Sequence, residues 1–161
     1  SYTYFDQGSR FKKIYSVDHL FLRGIYTSQK RASVSQEVLS ALDRYVSEGD
    51  YTLIYDNSPM LHYLTQTKPY AYNPWLYLYD KDLLQEALSR AGRERQALPV
   101  VVLQKFKGLW IDWPDGYSDD YMANDANKGK NLLINRFLHK NKYLKIWTNG
   151  YYEIWLPEYE K

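Results

Sequence analysis

The sequence predicts an α/β domain: a three-layer, Rossmann-like arrangement with a mostly parallel sheet and an antiparallel C-terminal hairpin at one edge. Two short apolar runs, Tyr51–Tyr55 and residues 99–103, lack polar alternation, which is typical of strands covered on both faces. Helical patterns alternate with these runs along the chain. Asn149 and Gly150 separate two β-prone runs and predict the hairpin. A length of 161 residues suits one domain, so we expect residues 1–161 to fold as a single unit.

The first 50 residues predict extended structure followed by a helix. Residues 13–17 and 20–26 are the extended segments. The helix is predicted to begin near Ser33 or Ser35, because apolar residues then recur at spacings of three and four. Gly49 is expected to end it, as the first residue past a helix often does.

A strand, a turn and a short helix are predicted between residues 51 and 69. The strand ends at Asp56 and Asn57, and Ser58 is placed to cap a helix that has Pro59 at its first position. Lys68 and Pro69 are expected to end this helix, because the residue before proline disfavours the α region. Residues 70–72 form a further possible short strand.

The second half of the chain predicts two more helices and the hairpin strands. One helix begins at Asp80 or Lys81 and ends near Gly92, followed by the strand at residues 99–103. The arginines in and after its last turn complement the helix dipole, and an anion site is the alternative: Arg90, Arg93 and Arg95. The last helix begins near Asp125 or Ala126. Residues 143–147 and 151–156 are the hairpin strands.

Composition excludes several classes of site. The chain has no cysteine, which rules out disulfides, thiolate zinc sites and a cysteine nucleophile. A net charge of +2, from 21 basic and 19 acidic residues, gives no general attraction to nucleic acid or to an anionic membrane, and we expect no nucleic acid as a partner. No motif for dinucleotide or mononucleotide binding occurs, and the three histidines share no metal-ligand spacing, so we expect neither cofactor nor metal.

Polar residues follow both buried strands of the predicted sheet. Asp56, Asn57 and Ser58 come after the first, and Gln104 and Lys105 after the second. Ligands of open α/β sheets bind beyond the carboxyl ends of the strands, so these side chains are a candidate binding site. The alternative is ordinary turn and capping chemistry.

The long segment 108–124 is the second candidate site, because loops of this length are uncommon in compact domains unless they have a function. Aromatic side chains beside carboxylates can stack on a sugar ring and accept its hydroxyl hydrogens; here they are Trp110, Asp112, Trp113, Asp115 and Tyr117. Three alternatives remain open. The aromatics could pin the loop to the core, the acids could form an irregular calcium site, or a carboxylate pair could hydrolyse glycosides.

Three stretches together carry a resemblance to a protein family. They are LFLRGIYTSQKRA, GDYTLIYDNSPMLHYLTQTKPYAYNPW and LPVVVLQKFKGLW, which cover roughly residues 20–110. They resemble the extracytoplasmic C-terminal domain of bacterial polytopic membrane proteins, among them lipid-linked-sugar glycosyltransferases and other envelope polysaccharide proteins. The sequence motif that recurs in such domains is matched here by Gly49, Asp50, Asp56, Pro59, Tyr63, Leu64, Thr65, Thr67, Pro69, Pro74 and Trp75.

The resemblance implies a role without a catalytic residue in this chain. The catalytic acids of such proteins would lie in membrane-proximal loops, so the expected function is an accessory domain that aids recognition of a glycan or partner. Its expected partner is the membrane portion of the same protein, and its expected location is outside the cytoplasm. Because Ser1 opens the chain inside an aromatic pattern, we expect a piece excised after a membrane helix. The alternatives are a stand-alone carbohydrate-binding module using residues 108–124 and a small hydrolase using Asp56, His62 or the acids of that loop.

Overall fold

A computed structural model describes residues 9–106 and 128–158. The helices there are α1 (Gln29–Leu42), α2 (Met60–Leu64), α3 (Lys81–Glu94) and α4 (Lys128–Lys140). The strands are β1 (Tyr51–Tyr55), β2 (Lys68–Pro69), β3 (Val100–Gln104), β4 (Tyr143–Thr148) and β5 (Tyr152–Pro157). Single 3₁₀ turns form at Arg10–Lys12, Leu20–Leu22 and Leu76–Leu78.

The five strands form one open, mixed sheet in the order β2-β1-β3-β5-β4. The first three strands are mutually parallel, with Thr52 opposite Val100 and Tyr55 opposite Leu103 in the β1–β3 pair. The C-terminal strands pair antiparallel with each other, and β5 also pairs antiparallel with β3. The predicted α/β class, its two parallel core strands and its C-terminal hairpin are therefore confirmed.

The two central strands bury side chains on both faces, which explains their lack of polar alternation. On one face, Ile54 and Val102 share a core with α1 residues Val38, Leu39 and Leu42. On the other face, β1 and β3 share a second core with α3 and α4, which includes Leu53, Tyr55, Val101, Leu103, Leu84, Ala91, Ile134 and Leu138.

Several predicted boundaries are wrong. Helix α1 begins at Gln29, before the predicted Ser33, and ends at Leu42 rather than at Gly49. Gly49 instead adopts φ +85° in the turn before β1, where its N–H donates to the carbonyl of Gln66 at 2.9 Å. A backbone with positive φ suits glycine because it lacks a Cβ.

Two further predictions of extended structure also fail. Residues 13–26 contain no strand; the one isolated bridge there joins Tyr15 to Thr27. The second short strand is Lys68–Pro69 rather than residues 70–72. Proline is tolerated there because β2 is an edge strand, and Lys68 still donates its N–H to Asp50. None of the helices in the described ranges is long and apolar enough to cross a membrane.

Candidate functional site

The carboxyl ends of β1 and β3 meet, as the sequence predicts. Ser58, three residues beyond β1, donates its hydroxyl to Oε1 of Gln104, the last residue of β3. Gln104 is 1% exposed, and its Nε2 donates to the carbonyl of Phe106 at 2.6 Å. The side-chain amide of Gln104 thus forms hydrogen bonds through both its oxygen and its nitrogen, and these bonds fix the geometry of the β3 terminus.

Ser58 also contacts the hydroxyl of Tyr152, at 3.1 Å between the two oxygens. Burial raises the pKa of Tyr152 to about 12, so this phenol stays protonated at neutral pH. The predicted helix cap is wrong, because α2 begins one residue later, after Pro59, and no side chain caps it. The Ser58 hydroxyl instead links β1 to β3 and β5.

Asp56 is a buried carboxylate between the end of β1 and the start of α4. It is 3% exposed, and its Oδ1 lies 4.0 Å from Nζ of Lys130. Lys130 also donates to the carbonyl of Tyr77 at 3.1 Å, and the neighbouring Asn131 accepts from the hydroxyl of Tyr55 at 2.5 Å. The first turn of α4 is thereby fixed to the end of β1.

Asn57 accepts a hydrogen bond from Nε1 of Trp75. The Trp75 ring stacks on Tyr77, with ring centroids 6.4 Å apart. Because Trp75 begins the aromatic 3₁₀ turn before α3, this bond ties the turn after β1 to the connection that leads into α3.

A second charged cluster lies where β3 and β5 pair. Glu153 is 4% exposed and accepts from Lys145 at 3.2 Å and from Nε1 of Trp155 at 3.1 Å. Nζ of Lys105 lies 3.8 Å from the same carboxylate. Lys105 is therefore part of an ion-pair network that links three strand segments.

Four buried polar residues at this edge are not predicted from the sequence: Lys130, Asn131, Tyr152 and Glu153. All four lie in elements predicted correctly, on α4 and β5. Local patterns assign them to a helix or a strand. Only the packing of α4 brings Lys130 to Asp56, and only the pairing of β3 with β5 brings Tyr152 to Ser58 and Glu153 to Lys105.

His62 lies in a threonine pocket next to the start of β1. Its Nδ1 lies 3.0 Å from the Thr52 hydroxyl and 3.4 Å from that of Thr67. Burial lowers its pKa from 6.5 to about 4, so the imidazole is neutral at physiological pH. These contacts give His62 a structural role in fixing α2 to the sheet.

The chain also presents an apolar and basic surface, residues 10–26, which we call the N-terminal surface. Seven of the seventeen large apolar side chains that are exposed in the described residues lie in it: Phe11, Ile14, Tyr15, Leu20, Phe21, Ile25 and Tyr26. Phe11 is 93% exposed. The same segment contains four basic residues and one acidic residue, Asp18. The basic residues are Arg10, Lys12, Lys13 and Arg23.

The N-terminal surface is anchored to the fold at a few points. Val17 and Leu22 pack into the α1 side of the core, and Tyr15 exchanges two backbone hydrogen bonds with Thr27. The Phe21 ring lies 5.0 Å from that of Tyr63 on α2. The segment is thus held in place while most of its large apolar side chains stay in contact with solvent.

The second predicted site lies outside the described residues: Trp110, Asp112, Trp113, Asp115 and Tyr117. Within residues 9–106 and 128–158, no group of three His, Asp or Glu side chains is arranged to hold a metal ion. Comparison of the chain with protein-family models, curated proteins and solved structures found no match.

Proposed function

We propose that this chain is a non-catalytic accessory domain of a bacterial envelope membrane protein, outside the cytoplasm, which packs on the membrane portion of that protein and aids recognition of a glycan or partner. The sequence resemblance to envelope glycosyltransferase-like proteins supports this role. The proposal includes a Rossmann-like, three-layer architecture, supported by the packing of α1 on one face of the sheet and of α3 and α4 on the other.

The observation that carries the proposal is the N-terminal surface. Monomeric domains rarely expose a concentration of large apolar side chains, and such patches are typical of protein or membrane contacts. Aromatic and aliphatic side chains mixed with Lys and Arg suit the boundary of an anionic bilayer, where apolar groups enter the headgroup region and cations meet lipid phosphates. The four basic residues among the exposed apolar ones favour contact with an anionic bilayer.

The polar groups of the candidate site support a non-catalytic role. Ser58 is hydrogen bonded to Gln104 and Tyr152, and His62 is neutral between two threonines. A serine nucleophile needs an adjacent general base, and the described contacts of Ser58 are an amide oxygen and a phenol of raised pKa. These contacts stabilise the sheet edge.

Vesicle sedimentation tests the membrane contact. We expect the chain to sediment with phosphatidylglycerol vesicles at low salt, and less with phosphatidylcholine vesicles, because the cations of the surface favour anionic lipid. The double variant Phe11→Ser and Ile25→Ser should reduce the bound fraction about tenfold or more, since each change removes a large side chain from the apolar contact.

The matched control is Leu83→Ser with Leu132→Ser, two exposed leucines on α3 and α4. It removes comparable apolar surface and should leave vesicle binding unchanged. Absence of binding to anionic vesicles, or an equal loss in both double variants, would contradict the proposal. A shift to a dimer in light scattering that Phe11→Ser and Ile25→Ser abolish would assign the surface to self-association instead.

A further inference from the structure

A groove of about 700 Å³ lies between α3 and α4, on the face of the sheet opposite α1. Its floor includes Tyr70, Leu133 and Phe137 of the core on that face. The groove lies near the amino end of β3, because the connection from α3 into β3 forms part of its wall. It is therefore distant along β3 from Gln104 and the candidate site at the carboxyl edge.

The charged residues that line this groove are all basic: Arg93, Arg95, Arg136 and Lys140. Two come from the end of α3 and the residue after it, and two from the second half of α4. No Asp or Glu is among the described residues that line it. Four cations lining one concave space, with no acid among the lining residues, attract an anion.

Arg95 is held in place by aromatic rings and not by a carboxylate. Its guanidinium carbon lies 3.7 Å from the centroid of the Tyr51 ring and 4.7 Å from that of Tyr72. Stacking uses the faces of the guanidinium, and its N–H donors project from the edge. Nη2 makes one long bond, 3.4 Å, to the carbonyl of Pro69, and Nε has no hydrogen-bond partner in the described part of the chain.

The nearby acid is already engaged elsewhere. Glu94 accepts from Nε of Arg90 at 2.7 Å and also from the hydroxyl of Tyr72, and both bonds lower its pKa. Glu94 therefore holds Tyr72, one of the rings on which Arg95 stacks, and forms its ion pair with Arg90. Its charge also attracts Arg95, but the other three cations of the groove are not among its described partners. The dipoles of α3 and α4 account for Arg93 and Lys140 in their last turns. They do not account for Arg95, which follows α3, or for Arg136, which lies a turn earlier on α4.

We propose that the groove between α3 and α4 binds a small ligand carrying a phosphate or pyrophosphate group. Arginine forks match the paired oxygens of a phosphate, and the lysine adds a point charge. The volume is that of a site for a whole small molecule, so there is room for an organic part beside the phosphate. Phe137, which is half-buried, supplies aromatic surface in the same lining for that part. This site does not depend on the membrane contact proposed above.

Titration with inorganic pyrophosphate at constant ionic strength, followed by amide chemical shifts of the whole chain, tests this site. We expect saturable shifts at the end of α3 and in the second half of α4. Glucose 1-phosphate should shift the same amides and additionally those near Tyr70 if the organic part of the ligand is a sugar. Neutral glucose alone should leave the α3 and α4 amides in place, because it lacks the anion.

Arg136→Gln with Lys140→Gln should raise the dissociation constant for pyrophosphate about tenfold or more, since two charge-assisted contacts are lost. Both side chains are exposed, so the variant should keep the fold and its amide spectrum. Arg10→Gln with Lys12→Gln removes the same charge from the opposite face and should change the constant less than about twofold.

Three outcomes would overturn the site: no shift at millimolar pyrophosphate, shifts scattered over the surface without saturation, or an equal loss of affinity in the two double variants. The last outcome would show attraction by net charge only.

Discussion

His62 shows at the scale of one residue how burial decides a histidine's role. An imidazole that is exposed to solvent can exchange protons near neutral pH, but this one is 6% exposed and lies between two threonine hydroxyls. Removal from water disfavours the charged form, and the described contacts of the ring include no carboxylate that would restore it. The folded chain therefore keeps this ring neutral at the cost of stability in acid.

We expect the free energy of unfolding to fall as the pH is lowered from about 6.5 to about 4. The folded pKa of about 4 lies below the ordinary 6.5, so the unfolded chain binds the proton first in this window and is favoured. The full effect is on the order of 3 kcal/mol. Urea unfolding at several pH values measures it.

Carboxylates titrate in the same range, so the comparison needs a variant. His62→Asn keeps a polar group near the threonines and removes the titration; its unfolding free energy should depend less on pH between 6.5 and 4 than that of the parent chain. His139→Asn, at an exposed position on α4, is the control for loss of an imidazole. If the parent and His62→Asn curves stay parallel, the burial of His62 does not control acid stability.

At the scale of elements, the start of α4 is joined to the end of β1 by buried polar groups. Lys130 faces Asp56, and Asn131 faces Tyr55. A buried ion pair gains little over an apolar pair of the same shape, but loss of one partner leaves a charge in a site without water. The pair therefore specifies where the helix docks more than it adds to stability.

Replacement of Lys130 by Met is expected to lower the free energy of unfolding by about 3 kcal/mol, because the Asp56 carboxylate stays buried and loses the Lys130 cation. Addition of Asp56→Asn should recover part of this loss. Lys128→Met, an exposed position two residues earlier on the same helix, is the control and should cost less than about 0.5 kcal/mol. Denaturant unfolding of the parent chain, Lys130→Met alone, Asp56→Asn alone and the double variant forms a double-mutant cycle, and additive losses would contradict the coupling.

Elements whose signal is local could be predicted from the sequence. The apolar runs of β1 and β3 and the Asn149-Gly150 turn each contain their own pattern, and the structure has all three. The start of α1 could not be predicted from the sequence, because most positions in the turns from Gln29 are polar. These turns are stabilised by Ala32 and Val34, which pack in a core formed with distant strands. Nor could β2 be predicted, since Lys68–Pro69 has no strand pattern and pairs only because β1 offers a free edge.

The geometry of the candidate site could be predicted only in part, because some of its contacts depend on long-range pairing. The rule for open α/β sheets places Ser58 beside Gln104, and this contact is present. The partners that determine its chemistry come from far along the chain, with Tyr152 separated from Ser58 by 94 residues. No local spacing connects them, so the sequence predicted where polar groups gather but not that they bond to one another.

At the scale of the whole molecule, the sheet separates the two proposed binding surfaces. The N-terminal surface is anchored on the α1 side through Val17 and Leu22, and the basic groove lies between α3 and α4 on the other side. The strands between them belong to a close-packed core, and no residue is shared between the two surfaces. Sites without shared partners couple weakly in energy, so we expect each surface to bind its ligand independently of the other.

We therefore expect pyrophosphate and anionic vesicles to bind at the same time. Pyrophosphate at saturating concentration should leave the vesicle-bound fraction unchanged at constant ionic strength, and vesicle-bound chain should bind pyrophosphate within about twofold of the affinity of the free chain. Sedimentation with and without pyrophosphate measures the first quantity, and calorimetry with vesicles present measures the second. Competition between the two ligands would mean that both bind one basic surface, and the Arg10→Gln, Lys12→Gln variant would then lose both activities. If both ligands bind together and each double variant loses one activity only, then an anionic bilayer binds on one side of the sheet and a phosphate-bearing ligand binds on the other.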